Sequence, residues 1–453
     1  MKKIFINRIA RRQFLKTSLS GLALATLPGI SFAQSNPDVV VIGAGSAGLS
    51  ASAELMRRGI SFVCIEGMNR IGGRCYTDMS TFGVPADIGG HWLHGFSGNQ
   101  IAEFGKEHKD KFKVYNVKKS RTYVYDGGKK VEADKLWDIV EKIQEIKDTR
   151  VLDVPLIDLI PEKIKKNSWF DTAHKIVDDA RDLGNFTLGD DSVNWQDPGK
   201  GDGLCREGYG ALLAYYRKDV PVKLNTIVNE IKWGGKGVQV VTNKGTINAK
   251  ACIVTVSVGV LKAEKIKFTP ALPLRKREAF EGMSMTISNR VLMQLNKKFI
   301  GKFKNDSHFY NKCNSNGAKS PKNIHYGSLK MHGTNLSLFS ITGQFSKDLE
   351  NEGSEAMIDF VVNNLKSAWG SKFYEKHFIK AIATGWANNP FTLGAYSGAI
   401  PGKARSRPEL KRQVGDRIFF AGEATAYAFS TVHGADRSGV RAATDLYISS
   451  ALD

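Results

Sequence analysis

Cysteine is scarce in this sequence, with five in 453 residues. The number is odd and the spacings match no metal-ligand motif, so no metal centre is expected. Cys64 and Cys252 fall inside apolar, strand-like runs and read as small core residues; a pairing among Cys75, Cys205 and Cys313 stays open. Long apolar runs are missing as well. The candidate, Leu19 to Phe32, holds Gly21 and Pro28 and falls short of the roughly 20 residues that a membrane span needs, which argues against stable insertion. Acidic residues are outnumbered, 45 against 65 Lys and Arg, for a formal charge of +20. A basic balance suits nucleic acid, anionic membrane or peptidoglycan. Here the lysines are scattered through 107–120, 161–167 and 296–322 without a nucleic-acid motif, so they read as a solvated surface and no nucleic-acid partner is expected. No internal repeat is present. An apolar share of 42% with 24% charged residues describes an ordinary globular chain, too long for one compact core, so two domains are expected.

The first 33 residues read as an address. A basic start, the pair Arg11-Arg12 in RRQFLK, the short apolar run and small Ala33 fit a twin-arginine signal, with Ala10 where the pattern usually has Ser or Thr. Cleavage after Ala33 would remove six basic and no acidic residues, lowering the formal charge from +20 to +14. A periplasmic or secreted protein is expected.

The segment VVVIGAGSAGLSASAELMRRG reads as a buried strand, a glycine turn and a helix, and SFVCIEG as a second strand. Within this βαβ opening each part of Gly43-x-Gly45-x-x-Gly48 has a task. Gly43 permits the tight turn, Gly45 lets the backbone approach a pyrophosphate, and Gly48 lets the helix pack on the sheet; Glu66 can accept the ribose hydroxyls. The glycine fingerprint does not separate NAD from FAD. Arg70-Ile71-Gly72-Gly73-Arg74 places two glycines between cations, suited to a second phosphate-holding turn. Further on, Leu136, Ile139, Val140, Ile143 and Ile146 share one helical face within 132–147, starting a helical insertion. Strands return in KLNTIVNEIKW, GVQVVTN and ACIVTVSVGVL. Residues 286–345 alternate as antiparallel strands around a polar stretch, 302–323, read as a loop, and Ser354 starts another amphipathic helix.

EGMNRIGGRCYT, ADIGGHWLHG (86–95), VNEIKW with ACIVTVSVGVLK, GWANNPFTLGAYS (385–397) and RIFFAGEATAYAFSTVHGADRSGVRAA (417–443) together resemble the flavin-containing amine oxidase family, of polyamine and monoamine oxidase type. The resemblance recurs over nearly all of the chain after residue 33. It implies an α/β fold in which a Rossmann-like FAD-binding domain (36–95, 205–285 and 380–453) is interleaved with an α+β substrate-binding domain (96–204 and 286–379), an amine oxidase/p-hydroxybenzoate hydroxylase-like architecture. It implies that Glu66 holds the ribose, Gly73 and Arg74 the pyrophosphate, Val228 the adenine end and Glu423 the ribityl-pyrophosphate part, with Trp386, Thr431 and Val432 also at the cofactor. FAD would be non-covalent, because Ala395 stands where flavinylated relatives have Cys.

The implied chemistry is oxidation of a small-molecule amine by hydride transfer to flavin N5, then imine hydrolysis, with O2 reduced to H2O2. Tyr396 matches one wall of the family's two-tyrosine slot; Thr431 occupies the other position, as in polyamine oxidases. His94 matches a polar residue of that branch, suited to a second amino group or a proton relay, or else is a hydrogen-bonded loop histidine. Trp195 matches an aromatic over the substrate channel or is core, and Asp190, Asp191, Asp197 and Asp202 around it either draw in a diamine or form a solvated loop. Arg290 falls where the family has a lysine linked to the oxygen step; Arg cannot lose its proton, which leaves another electron acceptor open. It leaves open an L-amino-acid oxidase too, with Arg290 on the substrate carboxylate. A catalytically silent flavoprotein acting as a binding module is the alternative of another class.

Overall fold

The computed structural model describes residues 36–117, 120–149, 153–178, 197, 199–312, 323–324 and 326–452. Val39–Ile42 is buried at every position, as a strand must be when both faces of a parallel sheet are covered. It lies at the centre of a five-stranded sheet in the order Val222–Lys223, Phe62–Ile65, Val39–Ile42, Ala251–Val254, Ile418–Phe420, and every pairing is parallel. Side chains alternate between its two faces. Val39 and Val41 join Ala47, Ala51, Leu55, Ala442 and Leu446 under the helices Ser46–Arg57 and Val432–Ile448. Val40 and Ile42 join Ile231, Val238 and Val240 from a four-stranded sheet on the other side. The first helix and the last are in close contact. A Cβ on Gly439 would stand 2.0 Å from the carbonyl oxygen of Ala47, an approach only glycine permits.

A seven-stranded sheet runs in the order Phe378–Ala383, Ser288–Leu295, Leu336–Thr342, Tyr326–Leu329, Ser307–Asn311, Thr122–Asp126, Lys129–Val131. It is antiparallel except where Ser307–Asn311 joins Thr122–Asp126 in parallel. The helix Ser354–Trp369 packs Val361, Val362 and Leu365 against Val291, Phe339 and Ile341. The helix Asp134–Thr149 places Leu136, Ile139 and Ile143 in a core with Val124 and Tyr310, and Val140 and Ile146 at its margin, as the helical spacing predicts.

Two expectations change. The stretch 302–323 is not all loop: Ser307–Asn311 is a strand with Phe309 fully buried, and its lysine and asparagine neighbours hide that signal. ACIVTVSVGVL is not one strand. It ends at Val254, and Ser257 then caps the short helix Val258–Lys262 by accepting the Val260 N–H at 3.2 Å. Ser354 begins its helix as expected, and Gly353, at φ 111°, stands at the N-cap position. Cys64, Cys75, Cys205 and Cys252 are buried free thiols, so Cys75 and Cys205 form no bridge with each other, and Cys313 lies outside the described residues. Among the described residues no helix is long and apolar enough to cross a membrane, and no cluster of three His, Cys, Asp or Glu could hold a metal ion.

Candidate active site

The central strand ends at Gly43, with φ 102°, where a side chain would be strained and its Cβ would meet Thr255 Oγ1 at 2.6 Å. The chain enters the first helix at Gly45, whose N-terminus has no side-chain cap. A Cβ on Gly45 would meet no protein atom within 4 Å, so the backbone faces a cavity of 610 Å³ directly. Glu66, at the end of the neighbouring strand, accepts the backbone N–H groups of Ala44 (2.7 Å) and Met68 (2.8 Å). Burial pushes its carboxyl above the usual range. The second glycine pair packs on the first turn: Gly72 N–H donates to Ala44 O at 2.8 Å, and the Cβ position of Gly73 lies 3.3 Å from Gly45 Cα. Bare backbone, an uncapped helix N-terminus and an acceptor carboxylate at one end of the cavity suit the pyrophosphate and ribose of a dinucleotide.

The C-terminal segments close the opposite wall. Arg74 Nη1 donates to Glu423 Oε1 and to Ala395 O, both at 2.9 Å. Glu423 also accepts Ser397 Oγ (2.7 Å) and Ser430 N–H (3.1 Å). Burial alone would raise its carboxyl, but Arg74 and Ser397 outweigh burial and hold it below the usual range. Thr431 caps the last helix: its Oγ1 accepts Gly434 N–H at 3.0 Å and donates to Ala428 O at 2.7 Å. That helix N-terminus opens on the cavity through Thr431 and Val432. Tyr396 enters from a strand paired to Met283–Thr286, and Arg290 from Ser288–Leu295. The Arg290 guanidinium hydrogen-bonds Gly89 O, and burial pulls its pKa below the ordinary arginine value.

A family model described as "Flavin containing amine oxidoreductase" matches residues 46–181 and 190–447. The chain belongs to that family. It is therefore an amine oxidase, and its cofactor is FAD, held without a covalent bond. The chain is similar to Polyamine oxidase 2 of Arabidopsis thaliana, 28% identical over 90% of this chain and 88% of the relative. It is similar to Polyamine oxidase 3 of Oryza sativa subsp. japonica at 28%, over 90% and 89%. In fold it resembles a putrescine oxidase solved bound to putrescine, with a TM-score of 0.71 at 17% identity, covering 91% of this chain and 99% of that one.

The amine oxidase brings most of the expected residues to one place. Gly43, Gly45, Glu66, Gly73, Arg74, Val228, Trp386, Glu423, Thr431 and Val432 line the cavity together with His94, Arg290 and Tyr396. Gly48 acts behind it: a Cβ there would come within 1.8 Å of Gly43 O. Trp195, Asp190 and Asp191 lie outside the described residues. Asp197 is neither a solvated loop residue nor a free anchor for a diamine, because its carboxylate is only 5% exposed and meets His433 Nε2 at 2.9 Å and Arg437 Nη1 at 3.4 Å. Asp202 is placed otherwise. It lies directly across an antiparallel pair from His94, with its Oδ1 2.8 Å from His94 Nδ1.

Sequence reasoning passed over His91. It is 3% exposed, lines the cavity, and neither ring nitrogen has a hydrogen-bond partner. Burial, and then the Arg290 charge, pull its pKa well below that of a free histidine. Its only sequence signal is the repetition of histidine in GGHWLHG.

Proposed function

We propose that the protein oxidises a polyamine-like amine at the end of the cavity formed by Tyr396, Arg290, His94 and the Thr431–Val432 helix start, with O2 as the final acceptor. The observation that supports this is that these groups share one cavity with the glycine turn and Glu66. FAD held in this cavity would supply the two-electron chemistry, accepting a hydride from the substrate's α C–H and handing the electrons on to O2, with hydrogen peroxide as product. The substrate, having lost hydride, is an iminium; water adds to its carbon, and aldehyde leaves with ammonia or the shortened amine. Glu66 and the Gly45 backbone would hold the ribose and pyrophosphate together with Arg74, Val432 would also meet the cofactor, and Tyr396 gives the slot an aromatic wall. The start of Val432–Ile448 is the positive end of that helix's dipole and favours negative charge beside it.

Anaerobic mixing with a panel of amines tests the reading. The yellow absorbance should bleach with polyamines and return in air with peroxide formed; a panel that leaves the flavin oxidised would refute it. A second reading rests on Arg290, whose guanidinium could take a substrate carboxylate; bleaching by free amino acids in preference to amines would favour an L-amino-acid oxidase. Slow recovery in air with rapid recovery by a quinone would point to a dehydrogenase. We further propose twin-arginine export to the periplasm or beyond, and a division into FAD-binding (36–95, 205–285, 380–453) and substrate-binding (96–204, 286–379) parts.

A further inference from the structure

Arg290 is a cation with no carboxylate of its own. Its guanidinium hydrogen-bonds Gly89 O, and among the described residues it forms no ion pair. The acid that acts on it most, Asp87, is 3% exposed and already accepts the Thr77 hydroxyl at 2.6 Å and the N–H groups of Tyr209 at 3.0 Å and Gly210 at 3.3 Å. A guanidinium offers five N–H donors and cannot shed its proton, and a charge taken out of water is stable when it is both paired and hydrogen-bonded. Gly89 O answers a hydrogen bond and leaves the charge.

The same tether sets the guanidinium beside His91, two residues beyond Gly89. A Cβ on Gly89 would stand 1.8 Å from Arg74 O and one on Gly90 2.9 Å from Val432 Cγ2, so this backbone is wedged in place. His91 is 3% exposed, lines the cavity with Arg290, and has no hydrogen-bond partner at either nitrogen. The charged and titratable groups that act on it, Arg290, His94, His332 and His308, all oppose its protonation, so the ring is neutral with one N–H to give. Two donors from different segments, one of them charged, therefore face one cavity together. A carbonyl or hydroxyl would answer their N–H groups without the charge, and a dianion would overshoot it. The complement is a small monovalent anion, of the size of chloride or formate.

We propose that Arg290 and His91 bind a small monovalent anion at the cavity wall, and that the bound anion, by cancelling the guanidinium charge, strengthens the binding of a cationic amine in the same cavity. An amine in neutral water carries an ammonium, which an unpaired guanidinium repels in a site of low dielectric. Anion and amine then bind with positive coupling, and each raises the affinity of the other by the same factor. The anion site stands independently of the amine-oxidising reading above; the coupling rests on it.

The ³⁵Cl line width of chloride added to the FAD-loaded enzyme, with sodium gluconate holding ionic strength constant, measures the site directly. Wild type should broaden the line more than Arg290→Gln, which separates this site from chloride held weakly by surface lysines, and formate should abolish the excess. His91→Phe should weaken chloride binding by about tenfold, the worth of one hydrogen bond to a charged group. FAD absorbance and melting temperature report whether each variant folds. Equal broadening by wild type and Arg290→Gln, or an excess that formate leaves in place, overturns the site. Wild-type chloride affinity in His91→Phe overturns the part of His91. Should either variant fail to retain FAD, the ¹⁵N shifts of His91 in the wild-type holoenzyme decide: chloride should move them and gluconate should not, and unchanged shifts at saturating chloride overturn the site. Anaerobic flavin reduction by putrescine should give a Kd about tenfold lower in chloride than in gluconate, and equal values overturn the coupling. A flavin that no amine reduces overturns the amine-oxidising reading and the coupling with it, while the line width still decides the anion site.

Discussion

A methyl group at Gly48 would stand 1.8 Å from the carbonyl oxygen of Gly43, so the first helix would have to leave the sheet to admit it. Gly48→Ala is expected to lower bound FAD, measured as the ratio of flavin to protein absorbance, and to lower the melting temperature; overpacking of this kind costs about 1–3 kcal/mol. Gly43, Gly48 and Glu66 are legible from sequence because their tasks are local to one strand–turn–helix unit. His91 is not, because its lowered pKa comes first from burial that only the closed fold supplies and then from the charge of Arg290, 199 positions away in the chain. Arg290 carries its own prediction. Lysine can lose a proton where arginine cannot, so Arg290→Lys is expected to speed reoxidation of the reduced flavin by O2, measured by mixing the reduced enzyme with aerated buffer. An unchanged rate would remove Arg290 from the oxygen step.

Between elements, the last helix and the first meet at small residues. Gly439→Ala brings a Cβ to 2.0 Å from Ala47 O and should destabilise the fold by about 1–3 kcal/mol, seen as a lower melting temperature and a weaker hold on FAD, since Val432 at the start of the same helix lines the cavity. That helix also carries His433, fully buried against Asp197. Burial takes its pKa down to about 4, although Asp197 works to raise it. A histidine depressed in the folded state binds protons more readily when unfolded, so this stability is complete above the ordinary value of 6.5 and is lost as pH falls toward about 4. Melting temperatures of wild type and His433→Asn across that window should converge as pH falls; parallel curves would show that His433 does not titrate in it. Helical spacing in 132–147 predicts its helix because amphipathic periodicity survives in one dimension. Ser307–Asn311 escaped prediction because its strand character rests on partners from Thr122–Asp126 and Tyr326–Leu329, not on its own alternation.

Across the whole molecule, Arg74 and Glu423 join segments 349 residues apart. Removing one member of a largely buried ion pair costs about 3–5 kcal/mol, so Glu423→Gln should lower the melting temperature of the holoenzyme. Glu423 is held below its ordinary value of 4.5 in the folded state; its contribution is complete above that value and disappears as pH falls below it. The gap between wild type and Glu423→Gln should therefore narrow in acid. By itself the sequence determined the parallel βαβ start, the nucleotide turn and the family, because each is written in short contiguous motifs whose backbone demands only certain residues can meet. Tertiary structure alone decided that Arg74 answers Glu423, that Asp197 is locked to His433 while Asp202 faces His94, and that His91 lies unpaired beside Arg290. Those pairings depend on which distant strands become neighbours, and the burial that gives them their electrostatic weight exists only once the chain has closed around the cavity.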